Sequence, residues 1–166
     1  MMRAIVLALA LAGLTVAPAG AASDKVKQQR LDRASSQHFA ALMPEAIKDW
    51  QATRPKVSWR DGGAEARARY WTTHGNERFT LVYETRTRGL NYKRDLLEKP
   101  DLAKRRGYEV RKINDQPALI RAIPGKTEVR IWLGGRILVF AIGSAKIETI
   151  EEHLKLIDFK KVGAVK

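Results

Sequence analysis

Residues 127–143 read TEVRIWLGGRILVFAIG, two runs rich in Val, Ile, Leu, Phe and Trp on either side of a Gly-Gly pair. That spacing predicts a β-hairpin closed by a two-residue turn. With Leu133 opposite Arg136, Val129, Ile131, Leu133, Leu138, Phe140 and Ile142 share one face. Glu128, Arg130, Trp132, Ile137, Val139 and Ala141 take the other. The second strand is apolar on both sides, which places it inside a sheet rather than at an edge. The hairpin is expected to form the core of one antiparallel sheet, with Ile131 and Phe140 buried.

The flanking sequence extends this sheet. Residues 108–113 and 118–123 alternate as strands, with turns at Asn114-Asp115 and Pro124-Gly125. Pro followed by Gly suits a type II turn, and a two-residue loop there sets Arg121 across from Glu128. Residues 66–71 and 79–83 form an earlier hairpin around a loop at 74–77. Between the hairpin and the meander, helical signals run from Asn91, as N-cap, to Gly107, with a break at Pro100. After the meander, Ser144 is expected to cap a helix whose buried stripe is Ile147, Ile150, Leu154 and Ile157. Toward the N-terminus, a helix over 24–43 carries Leu31, Ala34, His38 and Leu42 at helical spacing. A second short helix is expected from Pro44 to Trp50, followed by a connection at Arg54-Pro55-Lys56. The sum is an α+β fold: a six-stranded antiparallel sheet, hairpin plus four-stranded meander, with N-terminal, middle and C-terminal helices packed on it. Residues 22–65 make the N-terminal helical segment and connection, residues 66–166 the α+β domain, and the two share one core.

Residues 1–21 have the pattern of a cleavable signal peptide. Arg3 gives a positive start, residues 5–16 are apolar, Pro18 and Gly20 break the helix, and Ala19-Gly20-Ala21 fits small-x-small cleavage. The apolar stretch is short for a membrane span, so no span is expected after cleavage, and an uncleaved anchor is the alternative. The expected location is periplasmic or secreted. The chain has 166 residues, 31 Lys and Arg against 18 Asp and Glu, and a formal charge of +13. Losing residues 1–21 removes Arg3 and no acid, leaving +12. Such a charge favours anionic partners: an acidic protein, a lipid head group at a membrane surface, or an envelope polysaccharide. Nucleic acid suits the charge but not an exported location, and no RNA-binding signature is present. With no cysteine there is no disulfide, thiol nucleophile, Cys-based metal site or covalent haem attachment.

The early hairpin ARARYWTTHGNERFTLVYET, an intervening helical stretch, and the meander GYEVRKINDQPALIRAIPGKTEVRIWLGGRILVFAIG leading into a helix resemble the PsbP-like α/β/α sandwich family. The resemblance spans residues 66–159. It implies a non-catalytic accessory protein, exported or lumenal, that assists a larger complex. It carries over no binding residue, and the two N-terminal helices lie outside it.

The chemistry-bearing residues are dispersed. His38, His74 and His153 fall on different elements, none in a metal-ligating pair, and the expectation is no metal and no cofactor. His153 reads as a surface group on a polar helix face. No serine sits in a G-x-S-x-G elbow, so no catalytic residue is assigned. Glu84, near Arg67, Arg69 and Arg86, reads as an ion-pair partner. The suggestive set is basic and aromatic: Arg67, Arg69 and Trp71 share one strand face, and Arg121, Arg130 and Trp132 share another. Both triads can lie on one side of a single sheet. Arginine beside tryptophan binds anionic groups and stacks on rings, and the same residues can instead be covered by a helix. The expected function is a non-enzymatic binding or accessory domain that docks an anionic partner. A hydrolase with a dispersed site is the rival.

Overall fold

The computed structural model describes residues 19–59, 63–85 and 91–165. Most of the expected signal sequence therefore lies outside the described residues, and Ala19, Gly20 and Ala21 begin the first helix, α1 (Ala19–Ala41). Two short strands follow, β1 (Trp50–Ala52) and β2 (Lys56–Ser58), then the hairpin β3 (Glu65–Thr72) and β4 (Arg78–Glu84). The middle segment has α2 (Asn91–Arg94), a 3-10 turn (Asp95–Leu97) and α3 (Pro100–Arg105). The meander is β5 (Glu109–Ile113), β6 (Gln116–Ile123), β7 (Lys126–Leu133) and β8 (Ile137–Gly143). Two helices close the chain, α4 (Ile147–Lys155) and α5 (Phe159–Gly163).

All strand pairs are antiparallel, in the order β1-β3-β4-β8-β7-β6-β5, with β2 also on the outer edge of β3. Among the described residues the sheet has eight strands, not the six expected. The two extra ones are three residues each, too short to show alternation, and β3 supplies the edge they add to. β8 lies between β4 and β7, the interior position its apolar composition requires.

Turn chemistry explains the register. Asn114 and Asp115 both adopt positive φ, 46° and 62°, and close a two-residue loop between Ile113 and Gln116. At Pro124-Gly125, Gly125 has φ 72°, Ile123 pairs with Lys126, and Arg121 faces Glu128 as expected. The Gly-Gly turn departs from expectation. Gly134 and Gly135 both take positive φ, but Arg136 joins the loop and Leu133 pairs with Ile137. A one-residue shift moves every side chain of β8 to the opposite face. Ile137, Val139 and Ala141 thus join Val129, Ile131 and Leu133, while Leu138, Phe140 and Ile142 lie with Glu128, Arg130 and Trp132. Hydrophobicity could not choose between these registers, because both faces of β8 are apolar.

Helices cover both faces. On the first, Ile131, Val139 and Leu81 pack with Phe39 of α1, Ile150 and Leu154 of α4, and Phe159 and Val162 of α5. On the second, Leu96, Ala103 and Tyr108 of the middle segment cover Leu119, Trp132 and Leu138. Phe140 is only half-buried on this second face, whereas Ile131 is fully buried. The inward side of α1 is Asp32, Ser35, Ser36 and Phe39, and Leu31 is 49% exposed. Its polar groups are satisfied locally: Ser35 Oγ donates to the Leu31 carbonyl and Gln28 Nε2 to Asp32 Oδ1.

The short helix expected at Pro44 does not form. Trp50 enters β1 instead, with its ring 5.5 Å from that of Phe79 and 5.1 Å from that of His153. The preceding loop is tied to the sheet where the Tyr70 hydroxyl donates to the Pro44 carbonyl at 2.7 Å. Aromatic packing outweighs a weak local helix preference here. Ser144 is likewise not a cap: its hydroxyl accepts from the Arg78 amide and donates to the Asn76 carbonyl, and Lys146 precedes α4. Among the described residues, no helix is long and apolar enough to cross a membrane.

Candidate functional site

The six arginine and tryptophan residues singled out in the sequence share one side of the sheet. Residues paired across an antiparallel ladder point the same way, so the register fixes their rows. One row runs Arg67, Val82, Phe140, Arg130 and Leu119, and the next runs Arg69, Thr80, Ile142, Glu128 and Arg121. Trp71 pairs with Arg78 at one end, and Trp132 pairs with Leu138 toward the other. N-terminal helix α1 lies on the opposite face, with Phe39 set edge-on to Tyr83 at 6.0 Å, so it does not cover this surface.

The middle helical segment covers part of it, and this divides the six residues. Trp132 is buried beneath Leu96 and Ala103, and Arg130 is only 6% exposed. Neither is available to a partner, which corrects the expectation that all six present a contact surface. Arg67 and Arg69 are exposed, and Trp71 and Arg121 are half-buried. Arg67 is engaged by Glu65 at 3.3 Å.

Beneath the open part lies a charge cluster in which Glu128 and Arg130 are buried and Lys126 is exposed. Arg130 Nη1 donates to Glu128 Oε2 at 2.7 Å, Lys126 Nζ lies 2.8 Å from Glu128 Oε1, and the Arg130 guanidinium sits 4.6 Å over the Phe140 ring. Burial pushes the Glu128 carboxyl up, but hydrogen bonds from Lys126 and Arg130 bring it below the usual carboxylate range. Glu128 is thus an anion matched by two cations. Arg121, directly across the ladder, stacks over the Tyr108 ring at 5.5 Å, and its buried Nε has no acceptor.

The open end of this face forms a groove of about 860 Å³. Trp71, Thr80 and Ile142 give it an aromatic and aliphatic floor, and Arg69, Arg78 and Lys126 stand around it. Among the described residues, Arg69, Arg78 and Arg121 have no carboxylate within ion-pair distance. Gly143 at the groove's end has no room for a side chain, since a Cβ would lie 2.0 Å from the Arg78 carbonyl. Arg78, Lys126, Thr80 and Ile142 escaped the sequence reading. Their only signal is register, which places them beside Arg69 once the turn lengths are known.

His153 is fully buried, not a surface group. Its ring is ringed by Trp50, Tyr70 and Phe79, with centroids 5.0–5.2 Å away and near-perpendicular planes. Nδ1 donates to the Thr149 carbonyl at 2.9 Å, and Nε2 has no partner. Burial lowers its pKa and keeps the ring neutral. Among the described residues, no three His, Asp or Glu side chains lie close enough to share a metal ion.

No protein-family model and no curated protein matches this chain. Among solved structures, the crystal structure of a GTP-binding regulator from Thermotoga maritima is similar, with a TM-score of 0.45 and 15% identity over 73% of this chain and 87% of that one.

Proposed function

We propose that this protein is an exported, non-enzymatic binding domain that docks an acidic polypeptide segment in the groove between Arg69, Arg78 and Lys126. The observation that carries this reading is that Arg69 and Arg78, with no ion-pair partner among the described residues, stand with Lys126 around an apolar floor on which Glu77 is the one lining carboxylate. A ligand that supplies carboxylates and apolar side chains complements both features. Sugar hydroxyls both donate and accept, so this donor-rich rim matches them less well. A flat bilayer surface cannot enter a concave site. From β3 to β7 the groove crosses three strand spacings, about 14 Å, the reach of four or five extended residues. Export is supported by the residue pattern of the first 21 positions.

The test uses a fluorescein-labelled peptide alternating Glu and Leu, with anionic vesicles and a polyuronate as competitors. Arg69→Glu with Arg78→Glu is expected to weaken peptide binding at least tenfold while leaving the melting temperature unchanged, because both side chains are exposed. Affinity should also fall between about 0.05 and 0.3 M salt as screening shortens to a few ångströms. Peptide binding untouched by the double substitution overturns the proposal. Capture by vesicles or polyuronate in preference to the peptide replaces it with the lipid or glycan reading.

A further inference from the structure

The His153 ring is buried among hydrocarbon although it bears a basic nitrogen. Its neutral form is satisfied on one side only: Nδ1–H is used by the Thr149 carbonyl, and the Nε2 lone pair points at no donor. Three elements meet on it, β1 through Trp50, β3 through Tyr70 and β4 through Phe79. Of these rings, only Tyr70 carries a hydroxyl, and it already donates to the Pro44 carbonyl. Trp50 and Phe79 bring no titratable group. Glu152, on the same helix, is the carboxylate whose field reaches the ring, and it acts against the larger effect of burial.

We propose that His153 is an acid-sensitive latch whose protonation releases residues 43–52 from the edge of the sheet. A proton taken from solvent at Nε2 creates a buried cation with an N–H that has no acceptor, and a group so placed is strongly destabilising. The least costly relief is local. β1 has only three residues, pairs only with β3 among the described residues, and leads from a loop held by the Tyr70–Pro44 hydrogen bond. Withdrawal of Trp50 admits water to the ring without disturbing the meander. The segment that moves also borders a separate groove of about 570 Å³, lined by Met43, Ala46, Trp50, Pro55 and Tyr70, so acid would unmask an apolar surface there.

The direction follows from proton linkage. The folded ring binds its proton less well than the unfolded one, so the open form takes up more protons and gains on the closed form as pH falls. The latch holds above about pH 6.5 and weakens below it, by up to tenfold per pH unit for one proton. The experiment uses a His38→Gln, His74→Gln protein, in which His153 is the remaining imidazole. Hydrogen exchange, corrected for the intrinsic rate, should show the amides of Trp50 and Gln51 losing protection by up to tenfold per unit from pH 6.5 downward. Amides of β7 and β8 should hold. Adding His153→Phe should abolish the pH dependence, and an unchanged slope overturns the proposal. Should that variant fail to fold, NMR of the His153 ring and the Trp50 indole in the parent decides. A shared titration midpoint below 6.5 supports the latch, and separate midpoints refute it.

Discussion

Replacing Glu128 with alanine tests the charge cluster beneath the groove. The Glu128 and Arg130 side chains are 9% and 7% exposed, and their hydrogen bond measures 2.7 Å. Without the carboxylate, the Arg130 guanidinium stays buried against the Phe140 ring with no anion to match it. Removing one partner of such a pair costs about 3–5 kcal/mol, because an uncompensated charge remains in a poorly solvated place. That lowers the folding constant by roughly two to three and a half powers of ten. With a urea dependence of about 2 kcal/mol/M, the midpoint should drop by about 1.5–2.5 M. The double change Glu128→Leu with Arg130→Met removes both charges and fills similar volume, so most of the lost stability should return. A Glu128→Ala loss under about 1 kcal/mol, or a double variant as unstable as the single one, would refute the account. The same pair predicts a pH effect. Glu128 is held below the ordinary value of 4.5, so its stabilisation is complete above about pH 4.5 and is lost as pH falls through the lower folded value.

Gly143→Ala should destabilise the domain by about 1–3 kcal/mol or more and distort the groove end, since the new methyl meets the backbone of Arg78 and Phe79. Differential scanning calorimetry would check it, and a neutral result would mean that β4 and β8 are farther apart than described. Ile131→Ala, at a fully buried site, should cost about 2–5 kcal/mol in urea unfolding. Arg130→Glu should lower the melting temperature sharply because its side chain is buried, whereas Arg69→Glu should leave it unchanged. Mass spectrometry of the protein recovered from cells should find a new N-terminus at or within a residue or two of Ala22. Intact Met1 in the soluble cytoplasmic fraction would reject export.

The sequence by itself determined the six longer strands, the interior place of β8, the break at Pro100 and the apolar stripe of α4. Each rests on a local rule: alternation for a pleated strand, a missing amide at proline, a helical repeat of buried positions. It also placed Arg121 and Arg130 on one side, because Pro124-Gly125 admits one turn geometry and so fixes which residues of β6 and β7 are partners, whereas Arg67 and Arg69 join that side only through the β4–β8 pairing. Paired glycines impose no such choice. With both faces of β8 apolar, only packing against β4 and the helices selected the three-residue loop and the final register. Tertiary structure alone decided which side of the sheet each helix covers, and therefore that Trp132 and Arg130 are buried while Arg69 is free. It also drew the polar side of α1 inward and turned residues 44–50 from an expected helix into a loop and an edge strand. The same packing enclosed His153, whose neighbours Glu151 and Glu152 make its helix face look exposed. Burial is set by what lies opposite in space, and the rings of Trp50, Tyr70 and Phe79 reach His153 from positions 74 to 103 residues earlier in the chain.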